Sequence, residues 1–308
     1  SNDWNTTTGL YADLRPVLPF SPNTAISLAG RMDFSKAFDS KFIWKFGLRQ
    51  PIGDFYIRAN GGTSYSLPKT NELYADSATL VGNPDLKPET TETYNGAIGV
   101  QKDLGGANLR IEGGLFHTDI TNRIQSTSGL TPNTYYNNTA ITQIRGITAD
   151  LDLTIGKQWV LNLGFTKQDA HLKGSDLQIN ETPEFMIQGT LNWNSPDQRF
   201  HVSLFPRYQG PEWSTGGLNN KLRHNFGNYF VMNGSIAYWA GEEQQHRFQL
   251  RVVNIFDAKY AERYGYGNMR YSEAFVRGEI TTSSPEYYFG YPFEGKPRSV
   301  FLSYSTTF

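Results

Sequence analysis

The five histidines are the first residues to consider for metal or acid–base chemistry, because imidazole is the commonest metal ligand and a frequent general base. They are His117, His171, His201, His224 and His246. No two have the close spacing of a zinc-binding motif, and the absence of cysteine removes thiolate ligands and nucleophiles. We therefore expect hydrogen-bonding histidines, with no metal site and no cofactor.

Asp150 and Asp152 resemble a pair of catalytic carboxylates, since residues two apart on a strand share a face. No nucleophile or base accompanies them in a recognisable constellation. Hydrogen-bonded or ion-paired contacts in the wall of a sheet are the simpler interpretation. The sequence gives no reason to expect an enzyme.

The segment 257–296 is the strongest candidate for ligand binding, because it is long and combines many aromatic rings with arginines. Such side chains stack on, or hydrogen-bond to, an aromatic or anionic chelate or a sugar ring. The alternative is that the rings only pack the loop. The predicted ligand-binding residues are Tyr264, Tyr266, Arg270, Tyr271, Tyr287 and Tyr288.

Alternation of apolar and polar residues identifies the elements that must position these side chains. From Ile147 to Ile155 every second residue is apolar and its neighbours are polar, as in a strand with two unlike faces. The same pattern predicts an all-β protein with thirteen strands, near 6–14, 24–35, 41–50, 54–66, 90–102, 107–125, 137–155, 158–171, 184–194, 198–211, 226–240, 245–256 and 297–308.

The predicted connections alternate in length. Short turns at 51–54, 103–107, 156–157, 194–198 and 241–245 alternate with long segments at 67–89, 126–136, 172–183, 212–225 and 257–296. Short turns at one end and long loops at the other are typical of an antiparallel transmembrane β-barrel. Such a strand needs about 9–11 residues to cross the hydrocarbon layer.

Charge on the lipid-facing side of a barrel costs about 2–4 kcal/mol for Arg or Lys at the bilayer midplane. Charged residues within the strands are therefore expected to face the lumen: Arg58, Arg110, Glu112, Asp150, Asp152, Arg247 and Arg251. The net charge of −1 gives no electrostatic basis for binding nucleic acid.

Three motifs stand out between the predicted strands. The most specific is the run from Gly82 to Glu89, GNPDLKPE, followed by a new strand. The others are the NIFDAKY stretch at 254–260 and Pro297-Arg298-Ser299 before the last strand. All three resemble segments of TonB-dependent receptors, whereas Tyr65-Ser66-Leu67-Pro68 lacks the arginine of the family's corresponding element. The motif residues carried over by this resemblance are Asn83, Pro84, Leu86, Lys87, Pro88 and Glu89.

The GNPDLKPE run also has a physical interpretation. Pro84 and Pro88 fix φ and the Asn83 side chain can close a turn, so we expect a stiff turn where the chain re-enters the sheet. Lys87 and Glu89 are expected to form an ion pair there.

The resemblance implies a barrel of about 22 strands with a plug domain in its lumen. By that comparison residues 1–308 are the C-terminal portion of one barrel domain, with about nine strands and the plug absent. It also implies location in the outer membrane of a Gram-negative bacterium. The implied partners are outer-membrane lipid, TonB acting through the plug, and a scarce nutrient such as a ferric siderophore, cobalamin or glycan.

Two other interpretations fit parts of the pattern. A passive porin-like barrel would have twelve to fourteen strands of its own, consistent with the even number usual in bacterial barrels. A soluble β-sandwich that binds carbohydrate would use the same aromatic residues, but its apolar faces would be buried between two sheets.

Overall fold

A computed structural model describes residues 7–127, 133–175, 178–216, 222–270 and 286–307. Apart from one short helix, α1 (Thr70–Tyr74), the regular elements in these ranges are strands. In chain order they are β1 (Thr7–Leu14), β2 (Ala25–Ser35), β3 (Lys41–Ile52), β4 (Phe55–Ser66), β5 (Leu80–Val81), β6 (Glu89–Asp103), β7 (Ala107–Thr121), β8 (Arg123–Ser126), β9 (Asn133–Asn138), β10 (Thr142–Ile155), β11 (Trp159–Leu172), β12 (Phe185–Asn194), β13 (Phe200–Gln209), β14 (Glu212–Gly216), β15 (Leu222–Phe226), β16 (Tyr229–Ala240), β17 (His246–Val253), β18 (Ala261–Arg270), β19 (Glu286–Glu294) and β20 (Ser299–Thr306). No helix within the described ranges is long and apolar enough to cross a membrane.

One antiparallel sheet of thirteen strands dominates the described residues. Its order in space is β1-β2-β3-β4-β6-β7-β10-β11-β12-β13-β16-β17-β20, so each strand lies beside the next main strand along the chain. This simple up-and-down order is the topology of membrane barrels. Within the described residues, β1 and β20 form the two edges of the sheet.

All thirteen predicted strands are confirmed, with differences at their ends. The strand predicted over 107–125 is interrupted at Asn122, where φ is +54°. A positive φ does not fit extended backbone, so the main strand ends at Thr121 and β8 follows separately. The strand predicted over 137–155 begins only at Thr142, because 133–138 pair with other loop residues as β9.

The predicted long connections contain structure that sequence periodicity did not reveal. The connections 67–88 and 122–141 contribute β5, β8 and β9 to a small three-stranded sheet. The hairpins β14–β15 and β18–β19 rise from the same end of the main sheet. The opposite end carries mostly short connections, such as the turn at Gly53 and Asp54 between β3 and β4, with a longer one at 15–24 between β1 and β2. We call these the loop end and the turn end.

The two faces of the main sheet differ in exposure, and the pattern is the reverse of that in a soluble protein: apolar side chains are exposed and polar side chains are buried. On one face, large apolar side chains are exposed, including Leu115 at 66% and Ile98 at 59%. On the other face, polar side chains are buried, including Glu112 at 4% and Ser203 at 5%. A β-sandwich requires a second sheet that covers the apolar face. No such sheet covers this face in the described part of the chain. The apolar face suits contact with lipid.

Register arranges the apolar face in rows. Ile111, Leu151 and Leu163 are aligned across β7, β10 and β11, and each neighbouring row is also apolar. At the turn end, the last row of the apolar face contains Trp159 and Trp193, whose ring centroids lie 6.2 Å apart. Toward the loop end, ionic residues replace apolar ones on β7 from His117 onward. The apolar stretch of β7 therefore has about the length required to cross a bilayer.

Candidate functional site at the loop end and on the polar face

Glu112 is the centre of an ionic network on the polar face near the turn end. Tyr56, Gly99 and Glu112 are aligned across β4, β6 and β7. Because Gly99 has no side chain, the Tyr56 ring lies directly over it, where a Cβ would be 2.4 Å from the ring. The Tyr56 hydroxyl thereby reaches across β6 and donates to Glu112 over 2.8 Å. Arg58 follows the same path and donates two hydrogen bonds to the Glu112 carboxylate, of 2.5 and 2.9 Å.

Arg110 extends this network to the neighbouring strands. Its Nε donates to Asp152 over 2.6 Å, and its guanidinium lies 3.7 Å from the Glu112 carboxylate. The Asn162 amide donates to the other oxygen of Asp152 over 2.5 Å. We call Tyr56, Arg58, Arg110, Glu112, Asp152 and Asn162 the paired network. Each of its two carboxylates accepts hydrogen bonds from two other members of the network.

The remaining residues predicted to face the lumen lie on the same polar face but outside this network. Arg247 donates to Gln249 over 2.9 Å and lies over the Trp239 ring at 5.4 Å. Asp150 and Arg251 have no hydrogen-bond or ion-pair partner among the described residues. The shared face agrees with the prediction, whereas lining of a lumen stays a prediction.

The histidines form hydrogen bonds or ring contacts, as expected. The hydrogen-bond partners are Asp119 for His117, Asp169 for His171, Asn194 and Ser203 for His201, and Tyr304 for His246. His224 stacks on Tyr264. Within the described part of the chain, no group of three or more His, Asp or Glu side chains is arranged to hold a metal ion.

The GNPDLKPE motif fastens two loop-end connections together. The Asn83 side chain accepts from the backbone N–H of Asp85 over 3.0 Å, which closes the predicted turn, and donates to the Tyr135 carbonyl over 2.9 Å. Asn137 exchanges hydrogen bonds with the backbone of Lys87, at 2.7 and 2.9 Å. The motif therefore has an identifiable structural role beside β9.

The other motif residues complete this attachment. Leu86 and Pro88 are buried, whereas Pro84 is exposed. Glu89 accepts a hydrogen bond from the backbone N–H of Ile124 over 2.6 Å, at the point where β8 begins. The expected ion pair between Lys87 and Glu89 is not formed, because the Glu89 carboxylate turns toward β8 and Lys87 is exposed.

Asn254 holds the root of the longest hairpin. It is fully buried, and its side-chain amide donates to the carbonyls of Ala258 and Lys296 over 2.9 and 3.0 Å. Its side-chain oxygen accepts from the Ala258 N–H over 2.9 Å. The two strands of the root approach closely, since the Tyr260 ring occupies the space where a Cβ on Gly295 would lie. The NIFDAKY motif thus fixes where β18 and β19 leave the sheet.

Aromatic contacts connect this hairpin to its neighbours. The Tyr260 ring stacks on Tyr229, with centroids 4.3 Å apart. Further out, the Tyr264 ring stacks on His224 at 4.8 Å, with the two rings nearly parallel at 4°. The hairpin therefore packs against β15 and β16.

The structure places the predicted ligand-binding residues on this hairpin only in part. Tyr264 is described with its side chain. The backbone of β18 and β19 includes Tyr266, Arg270, Tyr287 and Tyr288, with Arg270 paired to Glu286. Tyr271 lies outside the described residues. Ligand binding by these residues stays a prediction.

A cavity of about 390 Å³ lies on the polar face beneath the hairpin root. Residues of β13, β16, β17 and β20 form its floor, and Tyr260, Glu262 and Lys296 line it from the root. Arg207 and Arg251 project from the floor strands. Sequence analysis singled out Arg251 but missed Arg207 and Lys296, although Arg207 alternates with the apolar residues of β13 and so belongs to the polar face.

A buried carboxyl lies beside this cavity at the base of the β14–β15 hairpin. Glu212 is 3% exposed, and Gln209 donates a hydrogen bond to it. Tyr229 donates to the same Gln209 side chain over 2.9 Å. Burial raises the pKa of Glu212, because the loss of hydration outweighs the opposing effects of the Gln209 hydrogen bond and the positive charge of Arg207.

Comparison with known proteins agrees with the thirteen-stranded sheet. The family model described as TonB dependent receptor-like, beta-barrel, matches residues 2–255. The chain belongs to this family. Its antiparallel sheet is therefore that of a β-barrel of this family, as the resemblance implied.

Known relatives are distant and longer than this chain. An iron-regulated outer membrane virulence protein of Vibrio cholerae is 23% identical over 276 residues, which covers 78% of this chain and 40% of that protein. The catecholate siderophore receptor Fiu of Escherichia coli is 23% identical over 259 residues, with coverage of 78% and 32%. The chain thus spans well under half the length of these relatives.

Solved structures share the fold. The ferric enterobactin receptor of Pseudomonas aeruginosa superimposes with a TM-score of 0.71 at 16% identity, covering 98% of this chain and 45% of that one. The Fiu receptor of Escherichia coli gives a TM-score of 0.69 at 18% identity, with coverage of 98% and 44%. At these identities the likeness concerns the fold alone.

Proposed function

We propose that this chain is part of the barrel of an outer-membrane active transporter that binds a ferric siderophore at the cell surface and imports it with energy delivered through TonB. The observation that carries the proposal is the loop-end assembly, in which an aromatic hairpin stands over a cation-lined cavity on the polar face. Aromatic planes and cations suit an anionic metal chelate.

The relatives support iron as the nutrient. Two of those described above are named for iron regulation or for a catecholate siderophore. A more distant relative, 21% identical over 245 residues, is a vitamin B12 transporter of Photobacterium profundum. Family membership leaves the cargo open, and the arginine-rich, aromatic hairpin favours an anionic chelate.

Removing the hairpin tests where the ligand binds. Ala261 and Glu294 are paired partners at the root, so a two-residue Asn-Gly turn can replace residues 262–293 without separating the strands. In the full-length receptor, expressed in iron-starved cells that lack it, we expect this variant to insert into the membrane and to lose siderophore-dependent uptake of radioactive iron. Heat-modifiable gel mobility measures insertion.

A matched variant keeps the hairpin and removes only its aromatic stack. Tyr264→Leu is expected to weaken siderophore binding by about tenfold, the upper range for an aromatic contact of about 0.5–1.5 kcal/mol, whereas Tyr264→Phe retains binding.

Unchanged uptake after removal of 262–293 would show that the hairpin is not the ligand site. Rescue of growth by cobalamin, with no iron uptake, would overturn iron as the cargo.

A further inference from the structure

The cavity beneath the hairpin root, which we call the cradle, collects positive charge. Among the described residues, three cations line it, Arg207, Arg251 and Lys296, and Glu262 is the only carboxylate in the lining. Two positive charges are therefore in excess. Its volume of about 390 Å³ is near the lower end of small-molecule sites, which are about 300–1,000 Å³. The cradle is suited in size to a small anionic ligand.

The cations of the cradle differ from other arginines on the same face. Arg31 pairs with Asp33 at 2.6 Å and Arg58 with Glu112 at 2.5 Å. In contrast, Arg251 and the Lys296 ammonium have no acidic partner among the described residues, and Arg207 donates only to the neutral Gln209. Cations that outnumber the neighbouring carboxylates raise the electrostatic potential of a concave site and favour an anion there.

The placement of these cations indicates how the negative charge of the ligand is distributed. Arg207 on β13 is paired with Val231, and Arg251 on β17 is paired with Ser235, so the arginines flank β16 from opposite sides. Strand geometry puts their Cα atoms roughly 16 Å apart, and Lys296 approaches from the root. All three nevertheless line one cavity, so a ligand with several anionic groups can engage them together.

We propose that the cradle binds a small polycarboxylate, such as a carboxylate-type iron chelator, through Arg207, Arg251 and Lys296. The planar guanidinium fork matches the two oxygens of a carboxylate, and the stacked Tyr229 and Tyr260 close one side. The inference deepens the proposed function, on which it rests, by naming the chemical class of the ligand.

Citrate is the probe that tests this inference on the intact receptor in detergent. Arg251→Gln and Lys296→Gln are each expected to weaken citrate binding by at least tenfold in calorimetric titration, and Arg251→Lys by less. Arg247→Gln is the matched control, because Arg247 lies on the same face of β17 but outside the cradle. It is expected to leave citrate affinity unchanged.

Glu262→Gln provides a gain of affinity that damage to the fold cannot imitate. It removes the single carboxylate of the cradle, so citrate is expected to bind several-fold more tightly. Inorganic phosphate and 2,3-dihydroxybenzoate serve as comparison ligands in the same titrations. Both are expected to bind at least tenfold more weakly than citrate, because neither presents several separated carboxylates.

Equal citrate affinity in wild type and Arg251→Gln would overturn the inference. Binding of phosphate or of 2,3-dihydroxybenzoate as tight as that of citrate would also overturn it. Iron uptake separates this result from the proposed function. Uptake from a catecholate siderophore without citrate binding would overturn the cradle inference and leave the transporter intact, whereas citrate binding without any iron uptake would support the cradle and overturn iron import.

Discussion

The paired network and the cradle lie on the same polar face but differ in whether their cations contact carboxylates. At the turn end, Glu112 accepts from both Tyr56 and Arg58, and Asp152 binds Arg110. Toward the loop end, Arg251 and Lys296 face a cavity without acidic partners among the described residues. Both regions use long cationic side chains, but only in the first is each of them in contact with a carboxylate.

This difference separates structural charge from charge available for binding. A charge removed from water needs a partner or it destabilises the fold. Where partners come from other strands, as for Glu112 and Arg58, the ion pair links those strands. Where they are absent, as at Arg251, the residue remains able to bind an incoming anion. Mutations that exchange or remove these charges test the distinction.

The largest effect is expected for Glu112→Gln in the paired network. The variant keeps the shape of the side chain but leaves Arg58 and Arg110 without the carboxylate they share. Removing one member of a buried ion pair costs about 3–5 kcal/mol, and the partial exposure of both arginines lowers our expectation to about 2–3 kcal/mol. Urea unfolding in lipid vesicles, followed by tryptophan fluorescence, measures the loss.

Asp150→Asn is the control, with the opposite sign expected. Asp150 is aligned directly opposite Glu112 on β10 and lacks a described partner. Like charges facing each other across strands are destabilising, so this variant should unfold at equal or slightly higher urea concentration. A loss similar to that of Glu112→Gln would show that pairing does not distinguish the two carboxylates.

Substitutions of Asn254 measure how much its buried side chain stabilises the hairpin root. Asn254→Ala removes the hydrogen bonds to Ala258 and Lys296 and places alanine at a φ of +52°. We expect a loss of about 2 kcal/mol in stability, with faster hydrogen exchange confined to the root. Asn254→Gly removes the same hydrogen bonds but tolerates the positive φ, so it should lose about 1 kcal/mol less. Equal losses would assign the whole effect to hydrogen bonding.

Much of the sheet could be predicted from sequence because strand alternation reports which face each residue occupies. Arg58, Glu112 and Asp152 therefore fall on one face as expected. Their pairing could not be predicted, because Arg58 and Glu112 are on strands separated by β6. Contact depends on register across three strands and on the missing side chain at Gly99.

The loop end was harder to predict because local periodicity does not specify it. The aromatic residues of 257–296 indicated a ligand-binding segment, but they did not indicate which residues of other connections they contact. The stacking of Tyr264 on His224 is one such contact. Lys296 joins the cradle because Asn254 holds its carbonyl, a contact between residues far apart in sequence. The motif at Asn83 was predicted to be a stiff turn, and its attachment to Tyr135 required the fold of another connection.

The smallest effect is expected at Glu212, a loop-end carboxyl without an ion-pair partner among the described residues. Burial raises its pKa above its ordinary value of 4.5, so the folded protein retains this proton to higher pH than the unfolded chain does. Its contribution to stability is full below the unfolded pKa and is lost as pH rises through the folded pKa. Glu212→Gln cannot ionise, so it should match wild type at pH 4 and be more stable at pH 8.

Urea midpoints across this range measure the difference, with the exposed turn variant Glu243→Gln as control. Lower stability of Glu212→Gln at pH 8 would mean that the ionised carboxylate is stabilised by a neighbour such as Arg207, and the contrast between paired and unpaired charge would not hold for this residue.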